Sequence, residues 1–167
     1  VDWRDPALFT TSTTITGWSA PLTHGGEPEL LTGAQVTATY FATIGARPLY
    51  GRDFTADDDV PNAPRVAILA HGLWQRRFGG DPAIVGTSMP IGGAPHTIVG
   101  VLPAGVVPVI LTDAEIFRPL QLNTADPSRG AIFLRVVARL ADEVTIETAR
   151  ARADVKARQL ELAYSST

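Results

Sequence analysis

The sequence predicts a mixed α+β domain in which short helices interleave with mostly antiparallel strands. Three observations predict it. Runs rich in β-branched and apolar residues, such as Phe9–Trp18 and Val66–Leu69, favour strands. Ala131–Leu140 alternates: Ile132, Leu134, Val136, Ala138 and Leu140 form one face, and Phe133, Arg135, Val137 and Arg139 the other. His71–Phe78 and the segment from Thr145 to about Tyr164 instead carry apolar residues at helical spacing.

In chain order, Asp2–Leu8 reads as a helix tail or helical turn anchored by Trp3 and Leu8. Residues 10–40 read as an antiparallel hairpin turning at Thr23–Pro28, a segment of turn composition. Tyr40–Ile44 is one helical turn with Gly45 as its C-cap, and Pro48–Phe54 is extended or looped. Val66–Leu69 is continuously apolar, as in a buried central strand. The following helix places Leu73, Trp74 and Phe78 on one face and Gln75, Arg76 and Arg77 outward, and stops at Gly79-Gly80.

Asp81 then caps a brief helix that has Pro82 in its first position. Ser88–Leu102 is a hairpin turning at Gly92-Gly93, and Ile116–Leu122 is a further strand. The loop within Pro119–Gly130 is the predicted boundary before the closing strand and helix. Thr145 caps that helix, whose stripe is Ile146, Ala149, Ala153, Ala157, Leu160 and Tyr164.

A chain of 167 residues, 45% apolar and 19% charged, is globular in composition. Folding should bury about 70% of its unfolded surface. The net charge of −3 gives no electrostatic footprint for nucleic acid. The absence of cysteine excludes disulfides, thiolate metal sites and cysteine catalysis within the segment. The longest apolar run, Val99–Leu111, is interrupted by Gly100, Pro103, Gly105 and Pro108, which a spanning helix would not tolerate. The segment therefore reads as soluble. It begins at Val1 without an initiator Met, as expected of an excised fragment or processed chain whose flanks have room for membrane segments.

No motif nominates catalytic, cofactor-binding or metal-ligating residues. His24, His71 and His96 are scattered and read as polar surface or capping residues. Asp57-Asp58-Asp59 lacks the ligand spacing of a calcium loop and reads as a solvated acidic loop or a cap on a helical turn. The glycine pairs at 25–26, 79–80 and 92–93 carry no phosphate-loop signature and read as turns. Trp74, Arg76 and Arg77 are the candidate partner contacts, since Trp and Arg are enriched at binding hot spots. The reading preferred for Trp74 and Phe78 is that they pack their helix onto the strand at 66–70.

Several segments resemble, in order and spacing, the MacB-like periplasmic core domain of MacB/FtsX-like ABC-transporter permeases. They are Val36–Phe41 followed by Gly45-Ala46-Arg47-Pro48 and Gly51-Arg52-Asp53-Phe54; Val66–Gly86, with its Trp-Gln-Arg-Arg-Phe-Gly-Gly-Asp-Pro core; Ile91–Pro103; and Glu115–Leu120. The Asp2-Trp3-Arg4 start is similar to members whose helix ends the same way. Gly92, His96 and Phe117 depart from the commoner Asn, aromatic and Trp of that pattern.

The resemblance implies two lobes: a discontinuous porter-like lobe of residues 1–38 and 123–167, and a smaller inserted lobe of residues 39–122. It implies an extracytoplasmic, periplasmic domain of an inner-membrane permease subunit, non-catalytic and without a cofactor. Such a domain transmits ATP-driven conformational change or contacts substrate or partner proteins. The implied partners are the flanking transmembrane helices of the same chain, a second permease protomer, a cytoplasmic ABC ATPase and a periplasmic partner protein. The alternative reading is a free-standing secreted domain binding a peptide, lipid or glycan.

Overall fold

The computed structural model describes residues 5–24, 27–123 and 134–164, with residues 160–164 described by backbone alone. These fall into two units, Val1–Ser12 with Ala138–Thr167 and Thr13–Val137. The expected anchor Trp3, the loop at 124–130 and the start of the expected strand at 131–133 lie outside the described residues.

The larger unit is built on a sheet that returns to its first strand. Strand β1 (Phe9–Leu22) enters it at Thr13 and pairs antiparallel with β2 (Glu29–Val36), setting Trp18 opposite Gly33 and Ala20 opposite Leu31. The expected hairpin is therefore present. Helix α1 (Tyr40–Ile44) follows and ends at Gly45, as the sequence predicts. The next segment contains β3 (Tyr50–Gly51) and a helical turn at Ala56–Asp59. Strand β4 (Val66–Leu69) is buried at every position and leads into α2 (His71–Phe78).

A helical turn at Pro82–Ile84 follows, with Asp81 accepting from Ala83 N–H at 2.8 Å as its cap. Strands β5 (Ser88–Ile91) and β6 (Ala94–Val101) form the second hairpin. Its connecting Gly92 and Gly93 take φ of 61° and 77°. Two successive left-handed residues are what a tight hairpin turn requires, and glycine adopts them without a Cβ clash. Strand β7 (Ile116–Pro119) completes the set.

The pairing runs β1–β2 antiparallel, β2–β7 parallel, β7–β4 antiparallel, β4–β6 parallel and β6–β5 antiparallel. Strand β5 then meets β1 through Leu22 opposite Ile91, supported by Gly92 N–H donating to Pro21 O at 2.9 Å. The six strands thus form a closed ring, with β3 added along β6.

Because strand side chains alternate, the ring has two faces. One face carries Ile15, Ala34, Val36, Val66, Ile68, Val99 and Phe117, covered by Tyr40 and Phe41 of α1 and by Phe54. There Phe41 meets Phe117 edge-on at 5.2 Å. The other face carries Ala20, Leu22, Leu31, Ala67, Leu69, Met89, Ile91, Ile98 and Ile116, joined by Leu73 and Trp74 of α2. Strand β4 is apolar throughout because both of its faces enter a core. Each fully buried large side chain contributes about 1.5–3 kcal/mol of transfer free energy.

The smaller unit takes the first residues of β1, the end of β8 (Arg135–Leu140) and helix α3 (Ile146–Tyr164). Ala141 N–H donates to Leu8 O at 3.0 Å, and Thr10 Oγ1 donates to Arg139 O at 3.3 Å. Thr145 caps α3 by accepting from Thr148 N–H at 3.2 Å. Ala149, Ala153 and Ala157 are partly buried as expected, but Ile146 is 68% exposed. The remaining expected positions, Leu160 and Tyr164, lie outside the residues whose side chains are described. In β8 Val137 packs against the core, whereas Leu134 and Val136 are exposed.

Candidate functional site

The inner face of the ring changes character at one end. The register sets Gln35 beside Arg118, two residue pairs beyond Gly33 and Ile116, and His96 opposite Met89. Arg65 precedes β4 in phase with Ala67, and its carbonyl accepts from Thr97 N–H at 2.9 Å. Trp18 is opposite Gly33. Five strands or strand ends thus bring Trp18, Gln35, Arg65, His96 and Arg118 to one rim above an apolar floor.

The Arg118 guanidinium lies 4.2 Å from the centroid of the Trp18 ring, a cation–π contact. The Gln35 amide, oriented to accept, receives Arg118 Nε at 3.2 Å and Nη2 at 2.9 Å. Burial first, and then the charge of Arg65, pull the Arg118 guanidinium below its ordinary pKa; it remains a cation. Among the described residues the Arg65 side chain makes no hydrogen bond or ion pair.

The His96 ring is 2% exposed and 6.3 Å from Trp18 between centroids. Its Nδ1 is 2.9 Å from Ala94 O, so it carries a hydrogen and donates, while the buried Nε2 has no partner. Burial above all, with the charges of Arg118 and Arg65, lowers its pKa and keeps the imidazole neutral. Gln35, Arg65, His96 and Arg118 line a recess of about 270 Å³ with Gln121. No carboxylate lines it among the described residues; Asp59, which holds Gln121 N–H at 2.8 Å, spends its other oxygen on Ala38 N–H.

The sequence nominated a different cluster, Trp74, Arg76 and Arg77 on α2. Trp74 is 4% exposed, part of the ring's apolar core, and its Nε1–H donates to Asp81 O at 2.9 Å. Arg76 bridges Glu29 at 2.6 Å and Glu115 at 2.8 Å, with 47% of its side chain exposed. Arg77 was expected to face outward, yet its side chain is only 11% exposed. It donates to the carbonyls of Glu27 at 2.8 Å and His24 at 2.9 Å, and to Glu29 at 3.2 Å. This folding-in follows from the β1–β2 turn, whose open carbonyls need donors.

The acidic run also resolves into a device. Asp58 is buried and accepts from both terminal nitrogens of Arg52 at 2.6 and 3.0 Å, while sharing a capping box with Thr55. Of the three histidines, His24 is exposed in its turn and His71 packs edge-on to Trp74, but the expectation of a polar surface or capping role fails for His96. Its side chain is in phase with Ile98, and that alternation sends it inward.

A family profile for the MacB-like periplasmic core domain matches residues 4–155. The chain belongs to this family. As a MacB-like domain, it shares its fold with the periplasmic region of MacB from Actinobacillus actinomycetemcomitans, at TM-score 0.71 and 17% identity over 95% of this chain and 69% of that one. It is also similar to the extracellular domain of the ABC-type transporter YknZ from Gram-positive bacteria, at TM-score 0.70 and 17% identity over 95% of this chain and 78% of that one. No curated protein matches the sequence. Among the described residues no helix is long and apolar enough to cross a membrane.

Proposed function

We propose that this MacB-like domain works outside the cytoplasmic membrane as a non-catalytic part of an ABC permease subunit, relaying ATP-driven conformational change. The observation that carries the reading is the family match over residues 4–155. Its partners on this reading are the flanking transmembrane helices, a second protomer, a cytoplasmic ATPase and a periplasmic protein. The proposal includes the two-lobe division into residues 1–38 with 123–167 and residues 39–122. What supports its discontinuous character is that residues from both chain ends share one unit. Helix α3 (Ile146–Tyr164) is the element we assign to transmission, since a permease reading has a membrane segment joined to this side of the domain. The exposed edge of Arg76 on α2 is the part of the Trp74, Arg76 and Arg77 cluster we assign to partner contact.

The test begins with the parent reading frame, scanned for hydropathy in windows of about 19 residues. An apolar span before Val1 and further spans after Thr167 would support a permease; a frame with no spans would overturn it in favour of a secreted binding domain. In a parent that has the spans, Ala153→Pro should break α3 and uncouple ATP hydrolysis from function while the ring stays folded. Unchanged coupling would remove α3 from the relay.

A further inference from the structure

We propose that the rim recess formed by Gln35, Arg65, His96 and Arg118 binds an oxyanion, a phosphate or carboxylate head group carried on a larger molecule. The first argument is charge. Arg65 and Arg118 line one recess with no carboxylate among its described lining, and Arg118 is only partly exposed. Two guanidinium groups facing a shared, partly desolvated space repel each other, and an anion between them removes that repulsion.

The second argument is preorganisation. Arg118 is held from one side by the Trp18 ring and along one edge by Gln35. Its remaining Nη1 edge needs no reordering to meet a ligand, whereas Arg65, unpaired among the described residues, supplies a second fork from β4's leading edge. The third argument is His96. A buried ring nitrogen without a partner is rare in folded proteins, and this one belongs to a side chain lining the recess.

A bound oxyanion offsets the charges of Arg118 and Arg65, the cations facing His96 from β7 and β4, and so favours a proton on Nε2 that donates to the ligand. A volume of about 270 Å³ admits a head group and a short stub, not a whole lipid or peptide. The ring interior deeper in is filled by Leu31, Ala67, Ile98 and Ile116, so the remainder of the ligand must stay outside.

The test is NMR titration of the 167-residue chain with inorganic phosphate and, separately, sodium acetate, at ionic strength held constant with chloride. Saturable shifts centred on the His96 ring and the Arg118 Nε–H are expected, and the tighter of the two anions identifies the head group. Arg65→Gln, at an exposed position where folding is not at stake, should weaken binding about tenfold, as should Arg118→Gln. With acetate, which stays ionised over the range, binding should tighten between about pH 7.5 and about pH 5.5, with the His96 ring gaining its proton on saturation. Linear, unsaturating drift with both anions would overturn the site. So would saturation that Arg65→Gln leaves untouched, while a flat pH profile would remove His96 from it.

Discussion

A Cβ at Gly33 would fall 2.5 Å from Cε3 of Trp18, its partner across the β1–β2 ladder, and 3.0 Å from Cγ2 of Ile116. Glycine is thus required at that position for space, and its bareness lets the indole lie where Arg118 stacks on it. Gly33→Ala should cost about 1–3 kcal/mol through overpacking. It should also shift the Trp18 indole resonance. Thermal unfolding and indole NMR check both; an unchanged melting point with an unmoved indole would count against this account.

The Arg52–Asp58 pair sets an acid limit on stability. Burial alone would raise the Asp58 pKa, but the donors from Arg52 and Thr55 together outweigh it and hold the carboxyl below its ordinary value. A carboxyl depressed in the folded state adds stability above its unfolded pKa of about 3.9, and that stability drains as pH falls below it. Asp58→Ala should cost about 2–3 kcal/mol at neutral pH, from the lost cap and charge-assisted bonds. The wild-type advantage should shrink in urea titrations as pH falls below about 4. Equal losses at neutral and acid pH would contradict it.

His96 gives a second, milder dependence with the same sign. Its folded pKa lies below the ordinary value of about 6.5, so the unfolded chain takes the proton first. Stability from this residue is whole above that pH and declines as pH falls, levelling off once the folded ring is also charged. Substituting His96→Phe removes an unpaired buried nitrogen and should change stability at neutral pH by less than about 1 kcal/mol. The variant should also lose the decline below about pH 6.5, measured in chloride buffer free of other anions.

Arg76 and Arg77 are neighbours in sequence but should behave differently. Arg76 is half exposed, and Arg76→Ala should cost no more than about 1 kcal/mol and less at high salt. Arg77 is nearly buried over two backbone carbonyls and Glu29, so Arg77→Ala should cost about 2 kcal/mol with little salt dependence. Comparing the two variants in low and high salt checks the contrast; matching losses would refute it.

The local elements were legible because local chemistry sets them. The apolar run of β4, the Gly92-Gly93 turn, the Asp81 cap and the spacing of α2 all lie within a few residues of the structure they dictate. The ring was not legible. Its parallel β2–β7 and β4–β6 pairs and the meeting of Leu22 with Ile91 join distant segments that carry no local pairing code. The same limit hid the rim. Gln35, Arg65, His96 and Arg118 each lie two residues from an inner-face position, so their phase was present in the alternation. That those phases converge depends on the ring. Arg77 folded inward for a related reason, since the carbonyls that capture it belong to another hairpin.

The meeting of β5 with β1 has a mechanical consequence. Among the described residues a single residue pair and one adjoining hydrogen bond join them, and Pro90 has no N–H to lengthen the ladder. That seam is held by the packing of Leu22, Met89 and Ile91 more than by backbone bonds. Under tension along β1 it should part before the ladders around β4, much as a clasp opens before the links of a bracelet. The amide of Gly92 should then exchange with solvent well ahead of those in β4 and β6.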